Sequence, residues 1–425
     1  MKVLLVGGGG REHALAWKIA RSPLVEELLC APGSAAIEQL GRCLPIKGDD
    51  VDALADLAER EGVGLTVVGP EAPLVAGLAD VFEARGLKVF GPGKAGAELE
   101  GSKGFCKKLL VDSGVPTGKA EIFDDIDAAR ATLKEWGAPV VVKADGLAAG
   151  KGVIICQTVE EAEQALQEML VDRRFGDAGG KVLLEECLVG EEASFIAITD
   201  GETILPFAGS QDHKRVGDGD SGPNTGGMGA YSPAPVLDDA LQDRVMREVM
   251  EPTVKGLSAA GVRFRGVLYA GLMISDGQPK VLEYNVRFGD PETQPLLFRL
   301  KSDLVPAMLA AAEGTLAGHT LEWDERTSVC VVMAAEGYPG NYEKGRVISG
   351  LDEVAAMGDD VMVFHAGTAY DGERWVTAGG RVLGVTALGH GVGEAVRRAY
   401  EAVDRIGWDG VHFRRDIARR ALERQ

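Results

Sequence analysis

The sequence predicts an α/β fold, α+β in parts, that is divided into three units. Its 425 residues correspond to about three domains at roughly 150 residues each. Strand and helix patterns alternate through about the first 95 residues, which is typical of a parallel sheet. Strand-rich stretches that begin near residue 101 and near residue 326 indicate two further units. The predicted boundaries are therefore 1–101, 102–325 and 326–425.

The first unit opens with a buried strand at Lys2–Val6, a glycine run at residues 7–10 and a helix at Glu12–Arg21. A strand, a glycine turn and a helix in this order are typical of the first βαβ unit of a nucleotide-binding sheet. Further strands, each ended by a Gly-Pro or Pro-Gly pair, are predicted at 28–31, 65–68 and 88–90. Apolar periodicity predicts helices at 51–58 and 75–85.

The second and third units contain more strand than helix. In the second unit, strands are predicted at 139–143, 152–156, 182–186, 192–199, 267–274 and 280–286, with a helix at 160–170. Asp276-Gly277 separates the last two strands and predicts a hairpin turn. In the third unit, strands are predicted at 327–335, 361–365, 375–377 and 382–387, before a helix at 392–403.

The charge of the chain argues against two classes of partner. Lys and Arg number 45 while Asp and Glu number 65, so the formal net charge is −20. A general nucleic-acid binder would carry a basic face, and adhesion to anionic lipid would need basic clusters. We therefore expect neither nucleic acid nor membrane as a partner. An anionic substrate must instead be bound by local basic residues, and the 58 glycines indicate backbone that approaches a ligand closely.

The six cysteines are scattered, and none forms a Cys-x-x-Cys pair. We interpret them as reduced thiols of the core rather than as a disulfide framework. The N-terminus lacks the apolar run of a signal peptide, and no apolar stretch approaches the ~18 residues of a membrane helix. A soluble intracellular protein is expected.

The glycine run is the first candidate site. Gly7 and Gly9 occupy the first two positions of the dinucleotide motif GxGxxG, but Glu12 stands at the third. The second strand also ends at Ala31-Pro32, without the acidic residue that would bind a ribose 2′-hydroxyl, so NAD is disfavoured. The turn could still bind a phosphate at the helix N-terminus. The alternative is a tight turn without a ligand.

A second candidate is the segment from Lys143 to Gly152. Lys143 ends a predicted buried strand, and a glycine-rich loop with Lys151 follows. Small side chains let backbone amides approach a polyphosphate, whose charge the two lysines would neutralise. The segment is not a P-loop, because Gly152 stands where that motif requires Ser or Thr. The alternative is a flexible hairpin with a solvated lysine.

A third candidate is acidic. A strand that ends in Glu185 and Glu186 leads through Gly190 to Glu191 and Glu192. Backbone groups here could pair with an adenine edge while a carboxylate accepts hydrogen bonds from ribose hydroxyls. The alternative is a solvated acidic loop, which is the more usual structure for such a pattern.

A fourth candidate lies on a later strand. Glu283, Asn285 and Arg287 alternate along the chain, so they are predicted to share one strand face. Two oxygen ligands beside a guanidinium suit a Mg²⁺ ion that is bridged to phosphates. The alternative is an edge strand with a surface salt bridge.

A fifth candidate combines charge and glycine. The basic cluster at residues 212–215 precedes a glycine-rich stretch at 224–232. We interpret the segment as a loop that binds an anion or substrate, since it is too polar for a core and too specific in composition for a linker. The alternative is a disordered surface loop.

These motifs together resemble the ATP-grasp superfamily, because the lysine loop, the acidic pair and the Glu283–Asn285 strand follow each other in that superfamily's order. Residues 8–14, 69–74 and above all 287–294, which read RFGDPETQ, resemble the phosphoribosylamine–glycine ligase family. The resemblance covers essentially the whole chain. It implies an N-terminal Rossmann-like domain, an ATP-grasp core with a small lid at about residues 120–192, and a C-terminal mixed α/β domain.

The resemblance implies an activity and its substrates. Members of this family join glycine to 5-phosphoribosylamine with ATP, through a glycyl phosphate, and release glycinamide ribonucleotide, ADP and phosphate in de novo purine biosynthesis. A Mg²⁺ or Mn²⁺ ion is implied as cofactor. We expect a cytoplasmic monomer, and a transient hand-over of phosphoribosylamine from the enzyme that makes it stays open.

The resemblance also assigns roles to residues. Catalysis falls to Arg287, Lys143 and Asp212, of which Asp212 would bind the glycine ammonium, and the metal ligands are Glu283 and Asn285. ATP binding is implied for Lys103, Lys143, Gly146, Gly150, Lys151, Gly152, Glu185, Glu186, Leu188 and Glu192. Binding of the other substrates is implied for Gly9, Gly10, Arg11, Glu71, Lys214, Asn224, Thr225, Gly226, Gly227, Met228, Gly229, Asp290, Pro291 and Glu292.

Three other functions remain in competition. Another ATP-grasp carboxylate–amine ligase or carboxylase would differ only in its second substrate. A nicotinamide dehydrogenase depends on the imperfect glycine turn alone. A nucleotide-binding regulatory module without turnover would not need both Glu283 and Arg287.

Overall fold

The N-terminal part of the chain is a parallel sheet with flanking helices. The computed structural model describes residues 1–146, 152–174 and 176–424. Within residues 1–101 the strands are β1 (Lys2–Gly7), β2 (Glu27–Pro32), β3 (Arg42–Cys43), β4 (Val63–Val68) and β5 (Val89–Phe90). The helices are α1 (Gly10–Ile19), α2 (Val51–Glu61), α3 (Glu71–Val75), α4 (Leu78–Ala84) and α5 (Lys94–Gly101). The strands lie in the order β3-β2-β1-β4-β5 with parallel pairing, which confirms the predicted sheet.

Two helices of this part differ from their predicted bounds. Helix α1 begins at Gly10 rather than at residue 12, because the Glu12 carboxylate accepts the Gly9 N–H at 2.7 Å and caps the first turn. The single helix predicted at 75–85 is wrong, since the chain forms α3 and α4 in its place. Gly77 separates them with a φ of +90°, a left-handed conformation that ends a helix and that glycine adopts without strain.

The next segment forms a small sheet with its own core. Its elements are α6 (Lys103–Asp112), β6 (Ala120–Phe123), α7 (Ile126–Trp136), β7 (Val140–Ala144), β8 (Val153–Cys156), α8 (Val159–Leu166) and β9 (Val182–Glu186). The described strands pair in the antiparallel order β6-β9-β7-β8. Ala129, Val142 and Leu184 belong to an apolar cluster that is confined to this segment. The predicted lid at about 120–192 coincides with this sheet, although its bounds stay a prediction.

The middle of the chain alternates strands with short helices. Its strands are β10 (Glu191–Thr199), β11 (Ile204–Pro206), β12 (Gln211–Asp212), β13 (Arg215–Gly217), β14 (Ser221–Asn224), β15 (Gly229–Ser232), β16 (Gly266–Ser275) and β17 (Gln278–Asn285). Its helices are α9 (Asp239–Val245), α10 (Glu251–Ala259), α11 (Thr293–Arg299) and α12 (Val305–Glu313). A sheet of order β11-β10-β16-β17 forms its centre. Asp276 and Gly277, both with positive φ, make the predicted hairpin turn between β16 and β17.

The C-terminal part contains β18 (Thr327–Ala335), α13 (Leu351–Ala355), β19 (Val361–His365), β20 (Thr368–Tyr370), β21 (Trp375–Thr377), β22 (Arg381–Gly389), α14 (Val392–Val403), β23 (Val411–His412) and α15 (Arg419–Leu422). Its main sheet has the order β12-β15-β18-β22-β19, and β23 also pairs with β18. Strands β12 and β15 thus come from the middle of the chain. The domain boundary at residue 326 therefore stays a prediction. The C-terminal sheet contains strands from both sides of this boundary.

The interpretation of residues 212–232 as a polar loop is therefore wrong. Asp212, His213 and Met228 are buried, and β15 pairs along its length with β18. Two polar groups of His213 have partners there: its backbone N–H donates to the Gly229 carbonyl at 2.9 Å, and its Nε2 accepts the Ala418 N–H at 3.0 Å.

The apolar core connects the parallel sheet with the central sheet. One cluster extends from Leu4 and Leu29 to Leu268 and Val281, and a separate cluster lies under the C-terminal sheet. The six cysteines are unpaired; Cys43 and Cys187 are only half-buried, so the prediction of core thiols is wrong for these two. Within the described ranges, no helix has the length and apolar character needed to cross a membrane.

Candidate active site

The acidic centre of the site is Glu283, which lies near the C-terminal end of β17. Its side chain lies on the same strand face as that of Asn285, while Tyr284 between them points into the core. Burial opposes ionisation of Glu283, but Lys214, Lys143, Lys103 and Arg287 outweigh it and lower the pKa of the carboxyl. The site therefore holds an ionised carboxylate among cations, a charge pattern suited to phosphate groups and a counterion.

Arg287 lies beyond the end of β17 rather than on it. The Val286 N–H donates to the Glu100 carboxylate at 2.8 Å instead of to a strand partner, so the strand ends at Asn285. The predicted shared strand face is therefore wrong for Arg287. Its guanidinium nevertheless reaches the same place, with Nη2 2.8 Å from Glu100 Oε1 and 2.9 Å from Asn285 Oδ1, and Nε 3.3 Å from Glu71 Oε2.

Two lysines share one buried carboxylate on β9, a central strand of the lid sheet. Glu185 is 1% exposed and forms ion pairs with Lys143 and with Lys107, the latter at 2.5 Å. Lys143 also donates to the Leu282 carbonyl at 3.3 Å, one residue before Glu283. Glu185 is thus a buried anchor for lysines, and the alternative of a solvated acidic loop is wrong for this side chain.

The other residues implied in ATP binding surround these lysines. Lys103 donates to the Gly146 carbonyl at 3.1 Å, and burial lowers its pKa against the effect of Glu283. The Gly152 carbonyl accepts the Ala144 N–H at 2.8 Å. Glu186 is exposed and accepts the Lys119 N–H at 3.1 Å, while Leu188 is half-buried in the connection to β10. Gly150 and Lys151 lie outside the described residues.

A second acidic group surrounds Lys214. Its Nζ lies 2.8 Å from Glu192 Oε2, and Glu192, Asp212 and Glu283 together raise the pKa of this lysine although burial opposes them. Buried Glu292 accepts hydrogen bonds from Tyr269 at 2.5 Å and from Ser194 at 3.3 Å. Lys214, Glu292 and Glu192 all act electrostatically on Asp212, and Glu283 acts on Lys214, so these side chains form one cluster.

Asp212 in this cluster is close to its titration point at neutral pH. Burial, reinforced by Glu292 and Glu192, raises the pKa of its carboxyl from 3.8 to about 7, while Lys214 and Arg420 oppose the shift. A carboxyl with a higher pKa in the folded state binds a proton on folding. The favourable contribution of Asp212 to the free energy of unfolding is present below about pH 4 and is lost as the pH rises to about 7.

We therefore expect the free energy of unfolding of the wild type, relative to Asp212→Asn, to fall between about pH 4 and pH 7. The decrease should exceed about 1.4 kcal/mol, the equivalent of one pKa unit. Urea unfolding of both proteins across this range measures it. The exposed Asp276→Asn variant is the control and should follow the wild type at every pH. Parallel curves for the wild type and Asp212→Asn would contradict the raised pKa.

The segments implied in binding the second substrate meet at Asp290. The Arg11 N–H donates to Asp290 Oδ2 at 3.4 Å, and the Arg11 guanidinium donates to the Phe288 carbonyl at 3.1 Å. The Gly9 N–H is bound by Glu12, so a phosphate at Gly9 and Gly10 would share this turn with a carboxylate. Glu71, at the start of α3, connects the same region to Arg287.

The glycine-rich stretch after β14 packs against the same turn. Gly227 has a φ of +112°, and a Cβ atom there would lie 2.4 Å from Pro291 Cδ, so the contact requires glycine. The Thr225 hydroxyl donates to the Lys214 carbonyl at 2.9 Å. Asn224 ends β14, Gly226 precedes the contact, and Met228 and Gly229 are buried at the start of β15.

The oxygen donors present fit a divalent cation that is shared with a substrate. Glu283 supplies an ionised carboxylate and Asn285 an amide oxygen on one face. Within the part of the chain that the structure describes, no three His, Cys, Asp or Glu side chains are grouped closely enough to hold a metal alone. Phosphate oxygens and water would have to complete the coordination, which is the usual arrangement for Mg²⁺.

Comparisons with known proteins decide the family. Models described as the N domain, the ATP-grasp (A) domain and the C domain of phosphoribosylglycinamide synthetase match residues 1–100, 101–293 and 328–420. Curated proteins named phosphoribosylamine–glycine ligase from Escherichia coli O6:H1 and from Allochromatium vinosum are each 58% identical to this chain, with 100% of both chains covered. This chain belongs to the phosphoribosylglycinamide synthetase family.

Solved structures agree with membership in the phosphoribosylglycinamide synthetase family. The crystal structure of phosphoribosylamine–glycine ligase from Thermotoga maritima matches with a TM-score of 0.86 and 33% identity, over 98% of this chain and 100% of that chain. A biotin carboxylase structure from Campylobacter jejuni matches with a TM-score of 0.76 and 16% identity, over 97% and 92%. At that identity the likeness shows the fold alone. The expected ATP-grasp architecture and the resemblance are both confirmed.

Several contacts of this phosphoribosylglycinamide synthetase site had no signal in the sequence. Glu100 lies in the last turn of α5, Lys107 lies inside α6, and Arg381 begins β22 in another unit. Each is identified only by its partner, which is Arg287, Glu185 and Asp290 respectively. Glu12 was noted as a missing glycine, and the structure gives it a role as the cap of α1.

Proposed function

We propose that this chain is an ATP-dependent ligase that joins glycine to 5-phosphoribosylamine and so forms glycinamide ribonucleotide, ADP and phosphate in de novo purine biosynthesis. The observation that carries the proposal is the full-length match to the family together with the approach of two clusters. Lys103, Lys143, Lys214 and Glu283 form one cluster, whose charges suit phosphate groups. The segments that meet at Asp290 form a second cluster beside it. A carbon–nitrogen ligase driven by ATP needs a nucleotide site and a second substrate site next to each other.

The reaction proceeds in two steps. A carboxylate oxygen of glycine attacks the γ-phosphorus of ATP, the bond to the β-phosphate oxygen breaks, and ADP leaves with the electron pair. The amine nitrogen of phosphoribosylamine then attacks the carbonyl carbon of glycyl phosphate, loses a proton and expels inorganic phosphate. Phosphoryl transfer asks the protein mainly for positioning and for neutralisation of charge.

The lysines and Arg287 would supply the neutralisation. Lys103 and Lys143 both act on the charge of Glu283 and would bind ATP phosphates, which the glycine-rich segment 146–152 would cover. Arg287, which Glu100 and Glu71 hold in place, would stabilise the transferring phosphoryl group or the acyl phosphate. Glu192 would accept the ribose hydroxyls, with Glu185, Glu186 and Leu188 at the base end of the nucleotide. Closure of the lid would exclude water, because an acyl phosphate hydrolyses readily.

The second cluster would hold the other substrates. The turn at residues 9–11, Glu71, the stretch 224–229 and the turn 290–292 would bind phosphoribosylamine. Asp212 and Lys214 lie between the two clusters, where Asp212 would bind the glycine ammonium. Glu192 and Glu292 add negative charge beside it, which favours a cation there.

Mg²⁺ or Mn²⁺ is the proposed cofactor, with Glu283 and Asn285 as its protein ligands. A bound divalent cation would neutralise phosphate oxygens and orient them for transfer. We further propose that the protein acts in the cytoplasm as a monomer, which size-exclusion chromatography with light scattering would test.

The test of the function is ADP release from Mg-ATP, with glycine and freshly generated phosphoribosylamine supplied together and then omitted in turn. Release that requires both is expected. Release with glycine and a different amine, or with bicarbonate, would favour another ATP-grasp ligase or carboxylase. No release under any of these conditions would contradict the proposal.

A further inference from the structure

Arg381 connects the C-terminal sheet to the second substrate cluster. It begins β22, opposite Ala334 of β18, and its side chain is 21% exposed. Nη1 donates to the Gly226 carbonyl at 2.6 Å and to the Asp290 carbonyl at 2.7 Å, and Nη2 lies 3.4 Å from Asp290 Oδ2. One guanidinium thus bridges two segments, at Gly226 and at Asp290, that lie far apart in the chain.

Asp290 extends this bridge to the N-terminal turn. Its Oδ2 accepts the Arg11 N–H at 3.4 Å, and its Oδ1 accepts an N–H of the Gln294 amide at 2.9 Å. Burial opposes ionisation, but Arg381 and then Arg11 lower the pKa of Asp290. The carboxylate is therefore held in its charged form between two cationic residues from opposite ends of the chain.

The neighbouring glycine is explained by the same guanidinium. A Cβ atom at Gly226 would lie 3.0 Å from Arg381 Cζ and within 3.3 Å of both terminal nitrogens. The backbone at Gly226 lies directly against the guanidinium, so a side chain there would push the two apart. The glycine at position 226 is thus explained by the contact with Arg381, whether or not a ligand also approaches it.

These partners distinguish Arg381 from an ordinary surface arginine. Among the described residues, the hydrogen-bond acceptors of its guanidinium lie in segments 226–227 and at 290, outside its own sheet strands. Arg326, near the opposite end of the same strand pair and 26% exposed, instead binds Asp324 and Asp360 beside it. A residue needed only for the stability of the sheet would resemble Arg326.

We propose that Arg381 is a positioning residue that sets the geometry of the phosphoribosylamine end of the site. This role depends on the proposed function. The guanidinium holds the 226–227 backbone and the Asp290 turn in one arrangement, and Asp290 in turn holds the first turn of α1. Binding of ATP and of glycine, which Lys103, Lys143 and Asp212 would serve, does not use this bridge.

The test compares Arg381→Met with Arg326→Met, its matched control, in steady-state assays of ADP release. For Arg381→Met we expect KM for phosphoribosylamine to rise at least about tenfold, the value of one lost charge-assisted hydrogen bond. KM for ATP and for glycine should stay within about twofold of the wild type. Arg326→Met should leave all three values unchanged.

Stability is measured on the same proteins by calorimetry. An increase of all three KM values together with a lower Tm would show a merely structural role and overturn the proposal, as would an unchanged KM for phosphoribosylamine. Arg381→Lys provides a second variant if Arg381→Met does not fold. Its compact ammonium cannot bridge both carbonyls as the guanidinium does, so a smaller increase in the same KM is expected.

The two proposals can fail separately. A wild-type protein that does not use phosphoribosylamine would overturn the proposed function. A wild-type protein that uses it, beside an Arg381→Met variant with the same KM, would overturn only the role of Arg381.

Discussion

Glu283→Gln is expected to lower kcat at least about a hundredfold, the loss typical of removing one key electrostatic group from an active site. Glutamine keeps the shape of the side chain but removes the negative charge that faces Lys103, Lys143, Lys214 and Arg287. The proposed cation would then keep only the neutral Asn285 oxygen as a protein ligand. ADP release at saturating substrates, with Mg²⁺ and Mn²⁺ each titrated, measures the effect.

Glu202→Gln is the control for this variant, because Glu202 is exposed in the turn between β10 and β11 of the same sheet. It should retain wild-type activity. The Tm of Glu283→Gln should fall only slightly, since Glu283 is half-buried at the strand face rather than in the core. A folded Glu283→Gln protein with normal turnover and a normal metal requirement would contradict the assignment.

Lys143→Met should raise KM for ATP at least about tenfold and leave KM for phosphoribosylamine nearly unchanged. The buried lysine Nζ is held by Glu185 and by the Leu282 carbonyl next to Glu283, where it would neutralise phosphate charge. Removing it does not leave Glu185 unpaired, because Lys107 still binds that carboxylate at 2.5 Å. The fold should therefore survive the substitution.

Lys107→Met is the matched comparison, since both lysines bind Glu185. Lys107 also donates to the Thr117 hydroxyl at 2.6 Å, so its loss should lower the Tm more than the loss of Lys143 does and should raise KM for ATP less. Steady-state kinetics and calorimetry on both variants separate the two effects. Equal KM values for ATP in Lys143→Met and the wild type would remove Lys143 from the nucleotide site.

Local patterns in the sequence were sufficient for most of the described strands, but for only a few of the helices. Strands such as β9 (Val182–Glu186) and β18 (Thr327–Ala335) have the predicted bounds, because runs of apolar residues between turn signals specify buried strands. Helix α14 (Val392–Val403) also agrees with its apolar face. The helix predicted at 75–85 was wrong because apolar spacing does not report the left-handed backbone at Gly77.

Composition misled the prediction at residues 212–232. Glycine and charge suggested a polar loop for binding an anion or substrate, yet the segment contributes β12 and β15 to the C-terminal sheet. Burial there depends on partners that lie far along the chain, such as Ala418, whose N–H donates to His213. A polar residue is buried when a distant group satisfies its hydrogen bonds, and a local window of sequence does not contain that group.

The chain's amino-acid order was enough to identify the family and the parallel sheet and to single out Lys143, Glu283 and Arg287 as candidates for the chemistry, because these depend on short motifs and local periodicity. Only the folded molecule shows which groups position those side chains and which groups shift their pKa values. Arg287 meets Glu100 from 187 residues away, and Arg381 meets Asp290 from 91 residues away. Hydrogen-bond geometry, desolvation and the resulting pKa shifts depend on such long-range contacts, and so the sequence contains no local signal for them.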